Sequence, residues 1–373
     1  MTNERNIPLF NLQKQFDSLK PELESACLKA LGSMKWLLGP ETKEFEKEFA
    51  EIMGAKHCIS CSSGASAIQI ALMAAGVGKG DEVITTPFAF VATTTSITLT
   101  GADIVFADIE PETYNIDPKK IEEKITSKTK AILPVHLYGY PANMDGIMEV
   151  AKKHNLIVIE DCAQSHLSKY KGKTTGTIGL AGSFSFYPSK NLGACGDAGA
   201  IITDDDSLAD KCSRIRHSGR SNKPYEYDYE GSTLRADEIQ IAMLRVKLRH
   251  LKTWTEMRNN AAQMYNKYLK DISQIKTPKN CEDGSTQSFY VYTIFAEKRD
   301  ELSKFLTENK IGNSIYYPKA LYDQPIYKYM GLSSKDFPET DLACKSVLAL
   351  PMYPEISEEE IKIIADVIKS FYG

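Results

Sequence analysis

Apolar residues fall along this chain in short runs separated by helix-length stretches. Residues 56–61 read as a strand and 64–75 as a helix of small residues; 82–86 reads as a strand and 90–99 as a helix. Apolar runs at 103–108, 131–136 and 156–161 predict three more strands, the last two separated by a helical stretch at 144–154. Repeated β–α units of this kind predict a largely parallel sheet with helices on both faces. Ligands of such sheets sit beyond the carboxyl ends of the strands. Asp161 ends one run and Ser62-Ser63-Gly64 follows another, so both are expected on one rim.

Two short runs, 184–187 and 199–203, then bracket a loop that holds Lys190. A long helical stretch rich in Arg, Lys, Leu and Met is expected from about 237 to 269. Strand-like 289–296 and 314–317, with helical 300–309 and 357–371, predict a smaller α+β unit after the polar loop 280–288. The expected division is a large domain over 1–250, including the N-terminal helical segment, and a small domain over 251–373.

Composition narrows the class. A chain of 373 residues that is 42% hydrophobic can build a core for two domains. A net charge of −4 gives no electrostatic footprint for nucleic acid. No run approaches the roughly 20 apolar residues of a membrane helix, and residues 1–8 lack the apolar centre of a secretory signal. The eight cysteines are scattered, and Cys58, Cys61, Cys162 and Cys344 lie in apolar or strand-like runs. Reduced thiols of a cytoplasmic protein are the expectation. Cys58 and Cys61 form a C-x-x-C with no second pair at zinc spacing, which reads as buried structural cysteine.

The chemistry concentrates around Lys190, in Ser183-Phe-Ser-Phe-Tyr-Pro-Ser-Lys190, ahead of the turn Gly193-Ala-Cys-Gly196-Asp-Ala-Gly199 and 29 positions after Asp161. A strand-end Asp with a downstream Lys is what a pyridoxal 5'-phosphate (PLP) enzyme needs. The amine condenses with the cofactor aldehyde, and the carboxylate keeps the ring nitrogen protonated so that the ring accepts electrons from a carbanion. The first amides of the helix after Ser63, at Gly64 and Ala65, are free to bind a phosphate. Ser185 offers a hydroxyl nearby, and the Phe90 ring could stack on a pyridine. Strand–glycine–helix turns are common, however, and an aromatic at a helix start is often core.

Competing motifs fail. Gly76-Val-Gly78-Lys79-Gly80 lacks the upstream Gly and the Ser/Thr after Lys of a P-loop, and it follows a helix. The turn 193–199 opens no helix, so the dinucleotide reading is poor. His136, His166 and His217 have no paired i, i+4 spacing and no G-x-S-x-G accompanies them; they read as structural or substrate-contact histidines, and no metal is expected.

Over nearly its whole length the chain resembles the DegT/DnrJ/StrS family of sugar aminotransferases, PLP-dependent enzymes of fold type I. The resemblance rests on Trp36-Leu-Leu-Gly-Pro-Glu41, Gly80-Asp-Glu-Val83, Pro87-Phe-Ala-Phe90-Val-Ala-Thr93, Pro134-Val-His136-Leu-Tyr-Gly139, Glu160-Asp161-Cys-Ala-Gln164, the 183–199 segment and Leu234-Arg235-Ala-Asp-Glu-Ile-Gln240. It implies a mostly parallel seven-stranded sheet between helices and a smaller C-terminal α+β domain. It also implies that Lys190 anchors the cofactor and Asp161 pairs with the ring nitrogen. Gln164 would lie near the phenolic oxygen and Phe90 on the ring. Gly64, Ala65 and Ser185 would hold the phosphate, with Thr233 from the partner subunit of a homodimer. Arg235 would reach the partner's active site, and Trp36, His217, Tyr316 and Tyr317 complete the substrate contacts.

Three positions depart from the family pattern: Ala65 stands for Thr, Thr233 for Asn and Tyr316 for His. The first two remove phosphate donors, which either Ser63, Ser66 and the Thr233 hydroxyl replace or cofactor binding loses. Beyond 250 the only arginines are Arg258 and Arg299, both in helical patterns, so no arginine clamp for a donor carboxylate is evident. The expected reaction moves an amino group from L-glutamate to a keto group, at C3, of a dTDP- or UDP-linked sugar. Its product would be an amino sugar for surface polysaccharide, lipopolysaccharide or a glycosylated product. A sugar dehydratase or a cyclitol aminotransferase of the same fold is the alternative; the best-known dehydratase branch carries His where Lys190 stands.

Overall fold

The computed structural model describes residues 6–373; residues 1–5, where the stretch read for a secretory signal begins, lie outside the described residues. Two helices, α1 (Leu12–Gly32) and α2 (Pro40–Met53), come first. β1 (His57–Cys61), α3 (Gly64–Ala74), β2 (Glu82–Thr85), α4 (Val91–Thr98) and β3 (Asp103–Phe106) follow. Next are α5 (Pro118–Glu122), β4 (Thr129–Leu133), α6 (Met144–His154) and β5 (Ile157–Asp161). A ribbon of β6 (Lys169–Tyr170) and β7 (Lys173–Thr174) leads to β8 (Ala181–Ser185), β9 (Gly199–Thr203) and α7 (Asp206–Ile215).

Seven strands form one sheet in the order β1-β9-β8-β5-β4-β2-β3. All run parallel except β9, which is antiparallel to both neighbours. Alternation along the strands sorts side chains to two covered faces. Val83, Leu133 and Ile159 pack with Ile68 of α3 and Ile97 of α4, while Ile84, Ile132 and Val158 pack with Met144 and Ile147 of α6. Burial on both faces is why these runs are continuously apolar. The expected α/β architecture is borne out.

The second half contains α8 (Glu238–Leu248), α9 (Leu251–Leu269), β10 (Ile275–Lys276), β11 (Tyr292–Ala296) and α10 (Arg299–Glu308), then α11 (Pro338–Ser346), β12 (Val347–Leu350) and α12 (Glu358–Tyr372). Strands β10, β11 and β12 make an antiparallel sheet around a separate apolar cluster that includes Tyr265, Tyr292, Leu302, Leu348 and Ile361. Ile7 joins that cluster from the other end of the chain. Its carbonyl accepts from Gly312 N–H at 2.7 Å, and a Cβ on Gly312 would sit 2.3 Å from the Leu9 nitrogen.

Two elements differ from expectation. The helical stretch 237–269 breaks at Arg249-His250, because α8 packs on α1 and α2 while α9 packs on α12. The His250 ring stacks on Trp254 at the turn, 5.6 Å between centroids. Residues 314–317 form no strand; Ser314 makes a single bridge to Ala349.

Candidate active site

β5 ends in Asp161 and its sheet neighbour β8 ends in Ser185, so the lysine loop after β8 passes over the carboxylate. Asp161 Oδ2 accepts from the Thr93 hydroxyl at 2.8 Å, and Oδ1 from Ala163 N–H at 3.1 Å. Only 4% of the residue is exposed. Burial raises its pKa against the pull of those bonds and of Lys190. A carboxylate held this way gains from a cation placed against it. Burial likewise draws the Lys190 amine down to about 8, with Asp161 pulling the other way. The residue is partly exposed, yet its Nζ lies deep among protein atoms, 4.2 Å from the centroid of the Tyr290 ring.

The loop that carries Lys190 is pinned along its length. Lys190 N–H donates to Tyr187 O, Ala194 N–H to Phe186 O, the Asn191 amide to Ser288 O and Lys247 Nζ to Gly193 O. At Gly193 a Cβ would lie 2.1 Å from Pro188 O, so only glycine fits this turn.

Across the rim, the start of α3 presses on Ser185: a Cβ on Gly64 would meet Ser185 Cβ at 2.6 Å. Gly64 and Ala65 occupy the first turn, where helix amides have no intrahelical acceptor. Ser63 and Ser66 are engaged otherwise. Ser63 Oγ accepts from Ser66 N–H at 3.1 Å and Ser66 Oγ from Ser63 N–H at 2.8 Å, closing a capping box. Their hydroxyls hold the helix start together.

Aromatic and amide groups wall the site. Phe90 caps α4 from outside the helix and is 58% exposed, with its ring 6.5 Å from that of Tyr317. Gln164 accepts from Tyr138 N–H at 2.7 Å and donates to the Tyr317 hydroxyl at 3.2 Å. Tyr316 offers its carbonyl to the Tyr138 hydroxyl. His217, Thr233 and Arg235 contact one another, and Trp36 is held separately. His217 bridges Thr233, Arg235 Nη1 lies 2.9 Å from His217 Nδ1, and Trp36 Nε1 donates to Leu31 O. Burial first, then Arg235, lowers the His217 pKa, so a neutral ring accepts from the guanidinium. Leu234, between Thr233 and Arg235, ties this segment to the start of α3 in the same chain, its carbonyl accepting from Ser62 N–H at 2.8 Å.

The remaining candidates are structural. His136 Nδ1 accepts from Ala142 N–H, which leaves Nε2–H to donate to Glu160 at 2.8 Å. Glu160 also accepts from Gly176, Ile178 and Gly179 N–H, so its oxygens are occupied although His136, Glu160 and Cys162 lie within 4.8 Å of one another. His166 is enclosed by Phe184 and Phe186, and burial holds it neutral with a pKa of about 3. Arg258 donates to the carbonyls of Phe289, Tyr290 and Met352, and Arg299 to those of Val347 and Cys344. Both side chains are buried against these carbonyls, and Arg299 also pairs with Asp300 at 2.6 Å.

The family model for DegT/DnrJ/EryC1/StrS aminotransferases matches residues 17–369. The chain belongs to this family. The aminotransferase is 47% identical to a pleiotropic regulatory protein of Geobacillus stearothermophilus, over 98% of this chain and 99% of that one. It is 38% identical to the UDP-N-acetyl-3-dehydro-alpha-D-glucosamine 3-aminotransferase of Acidithiobacillus ferrooxidans, over 99% of each chain. The crystal structure of Streptomyces venezuelae DesV in complex with a ketimine intermediate matches with a TM-score of 0.95 at 34% identity, covering 98% of each chain. The enzyme is a PLP-dependent aminotransferase.

The residues present fit that cofactor. A buried carboxylate short of a cation, an amine made less basic by burial, and a helix start pressed close to a serine side chain meet on one rim. Thr93 and Tyr290 escaped the reading of the sequence. Thr93 lies in the first turn of α4, three positions after Phe90. Tyr290 carried no sequence signal, because it approaches Lys190 only through the packing of the C-terminal half.

Proposed function

We propose that the aminotransferase moves the amino group of L-glutamate to the C3 keto group of a dTDP- or UDP-linked sugar, supplying an amino sugar for surface polysaccharide, lipopolysaccharide or a glycosylated product. The observation that carries the catalytic part is the burial of Lys190 Nζ and Asp161 together at the carboxyl end of the sheet. PLP, when bound, supplies an electrophilic carbon and a ring that accepts electrons. Asp161 would pair with the protonated ring nitrogen, and Thr93 and Ala163 fix the carboxylate's orientation. Lys190, with an amine near pKa 8, both accepts and returns a proton at neutral pH. Gly64, Ala65 and Ser185 would hold the phosphate, with Thr233 contributed by the partner. Phe90 would cover the ring, and Gln164 would serve the phenolic oxygen.

The C3 assignment is supported by the relative named for 3-amination and by the paired rings of Tyr316 and Tyr317 beside Phe90, 5.8 Å between the tyrosine centroids. Two tyrosines offer hydroxyls to a sugar or diphosphate and flat faces to pack on it. The reading includes a cytoplasmic homodimer with shared sites and a functional division near residue 250. In support of sharing, Arg235 Nε is buried without a hydrogen-bond partner among the described residues, and Trp36 and Phe90 expose apolar surface. With Arg258 and Arg299 occupied, the donor carboxylate is held by backbone groups or by the partner.

The test is a screen of matched 3-keto and 4-keto sugars on dTDP and UDP with L-glutamate, the product identified by mass and NMR. Amination of the 3-keto substrates is expected. Preference for a 4-keto sugar, a cyclitol ketone or dehydration would overturn the substrate assignment.

A further inference from the structure

We propose that Tyr290 is a positioning residue for Lys190: its ring face holds the lysine amine in the charged form whenever that amine is not bonded to the cofactor. The proposal rests on the reading of Lys190 as the cofactor lysine. Lys190 Nζ lies 4.2 Å from the Tyr290 centroid, inside the range in which a ring face attracts a cation. The attraction strengthens where water is excluded, as it is here around a ring that is 7% exposed.

The platform is built rather than incidental. The Tyr290 hydroxyl lies 3.2 Å from Ser189 Oγ, one residue before the lysine. Its N–H donates to Tyr138 O at 3.1 Å, and its carbonyl accepts from Arg258 at 3.2 Å. Phe10 stacks on the ring, centroids 5.7 Å apart and 20° between planes. Phe10 is itself anchored by its chain neighbour, since Leu9 O accepts from Met352 N–H. The ring thus comes from the C-terminal half, braced by the N-terminal segment, and is presented to a lysine carried by the sheet.

Other charges around the amine oppose one another. Asp161, at the end of β5, favours the ammonium. His166 in the following loop is neutral, and the lysine charge contributes to keeping it so. Arg258 from α9 reaches the Tyr290 carbonyl, and the phenols of Tyr317 and Tyr290 are pushed up by burial and uncharged. Against the desolvation of the amine, the ring face and Asp161 are the two stabilising influences. Their joint effect is an amine poised near neutrality and kept in one place.

The experiment uses enzyme loaded with pyridoxamine phosphate, the form in which the lysine is free. The pH dependence of Lys190 acetylation by acetic anhydride is followed by peptide mass spectrometry. Tyr290→Leu should lower the titration midpoint by about one unit, while Tyr290→Phe should stay within about 0.3 unit of wild type. Fluorinated phenylalanines at position 290 preserve shape and weaken the ring face stepwise, so the midpoint should fall with each fluorine even if the leucine variant does not fold. A flat midpoint across the fluorinated series, or a shift in Tyr290→Phe as large as that in Tyr290→Leu, would overturn the proposal. Borohydride reduction of the PLP form separates this from failure of the underlying reading: cofactor fixed on a peptide without Lys190 sinks the reading itself.

Discussion

At the residue scale, burial acts on Lys190 and Asp161 in the same sense: each is pushed toward its neutral form, and each limits the effect on the other. That balance bears on the role proposed for Asp161, because only an anion favours a protonated ring nitrogen. Asp161→Asn keeps the shape and the Thr93 contact but removes the charge. The expected outcome is a loss of several orders of magnitude in kcat with an altered cofactor absorbance, read by steady-state kinetics and spectrophotometry; near-native kcat with an unchanged spectrum would point to another partner for the ring nitrogen. Lys190 and Asp161 were legible in the sequence because the chemistry demands both and the strand pattern puts one at a strand end. Thr93 and Tyr290 were not, since a hydroxyl's partner and a ring's neighbour are decided by packing between distant segments. The roles of His136 and Glu160 also emerge only from their hydrogen bonds.

At the element scale, the alternation of strands and helices up to residue 161 was readable because each strand of the sheet is buried on both faces. The reversal of β9 was not, for an apolar run carries no direction. The long helix over 237–269 was read as one because nothing in its composition marks the turn at His250, which follows from two packing partners. The start of α3 bears directly on cofactor affinity. Its serines close a capping box, and position 65 itself offers no hydroxyl. Ala65→Thr should therefore tighten PLP binding about 2- to 10-fold, the worth of one added hydrogen bond. Equilibrium titration of the apoenzyme checks this, and unchanged or weaker binding would show that position 65 does not face the phosphate.

At the scale of the whole molecule, the proposed sharing of sites between two chains turns on Arg235, whose Nε is buried without a hydrogen-bond partner among the described residues. Lys190→Ala and Arg235→Ala chains should each be inactive as homodimers. Mixed at equal amounts with free exchange, they should recover about a quarter of wild-type activity, because half the dimers then carry one intact site. No recovery after exchange is verified by mass would mean that Arg235 serves its own chain. Lys190 is proposed to run an amino-group transfer in two halves, and the donor half tests this without any sugar. The PLP form mixed with L-glutamate alone should lose its yellow absorbance and release one 2-oxoglutarate per active site, while Lys190→Ala should do neither over many turnovers' time. Wild-type enzyme that keeps its colour and releases no keto acid, with glutamate or with any other amino acid as donor, would contradict it.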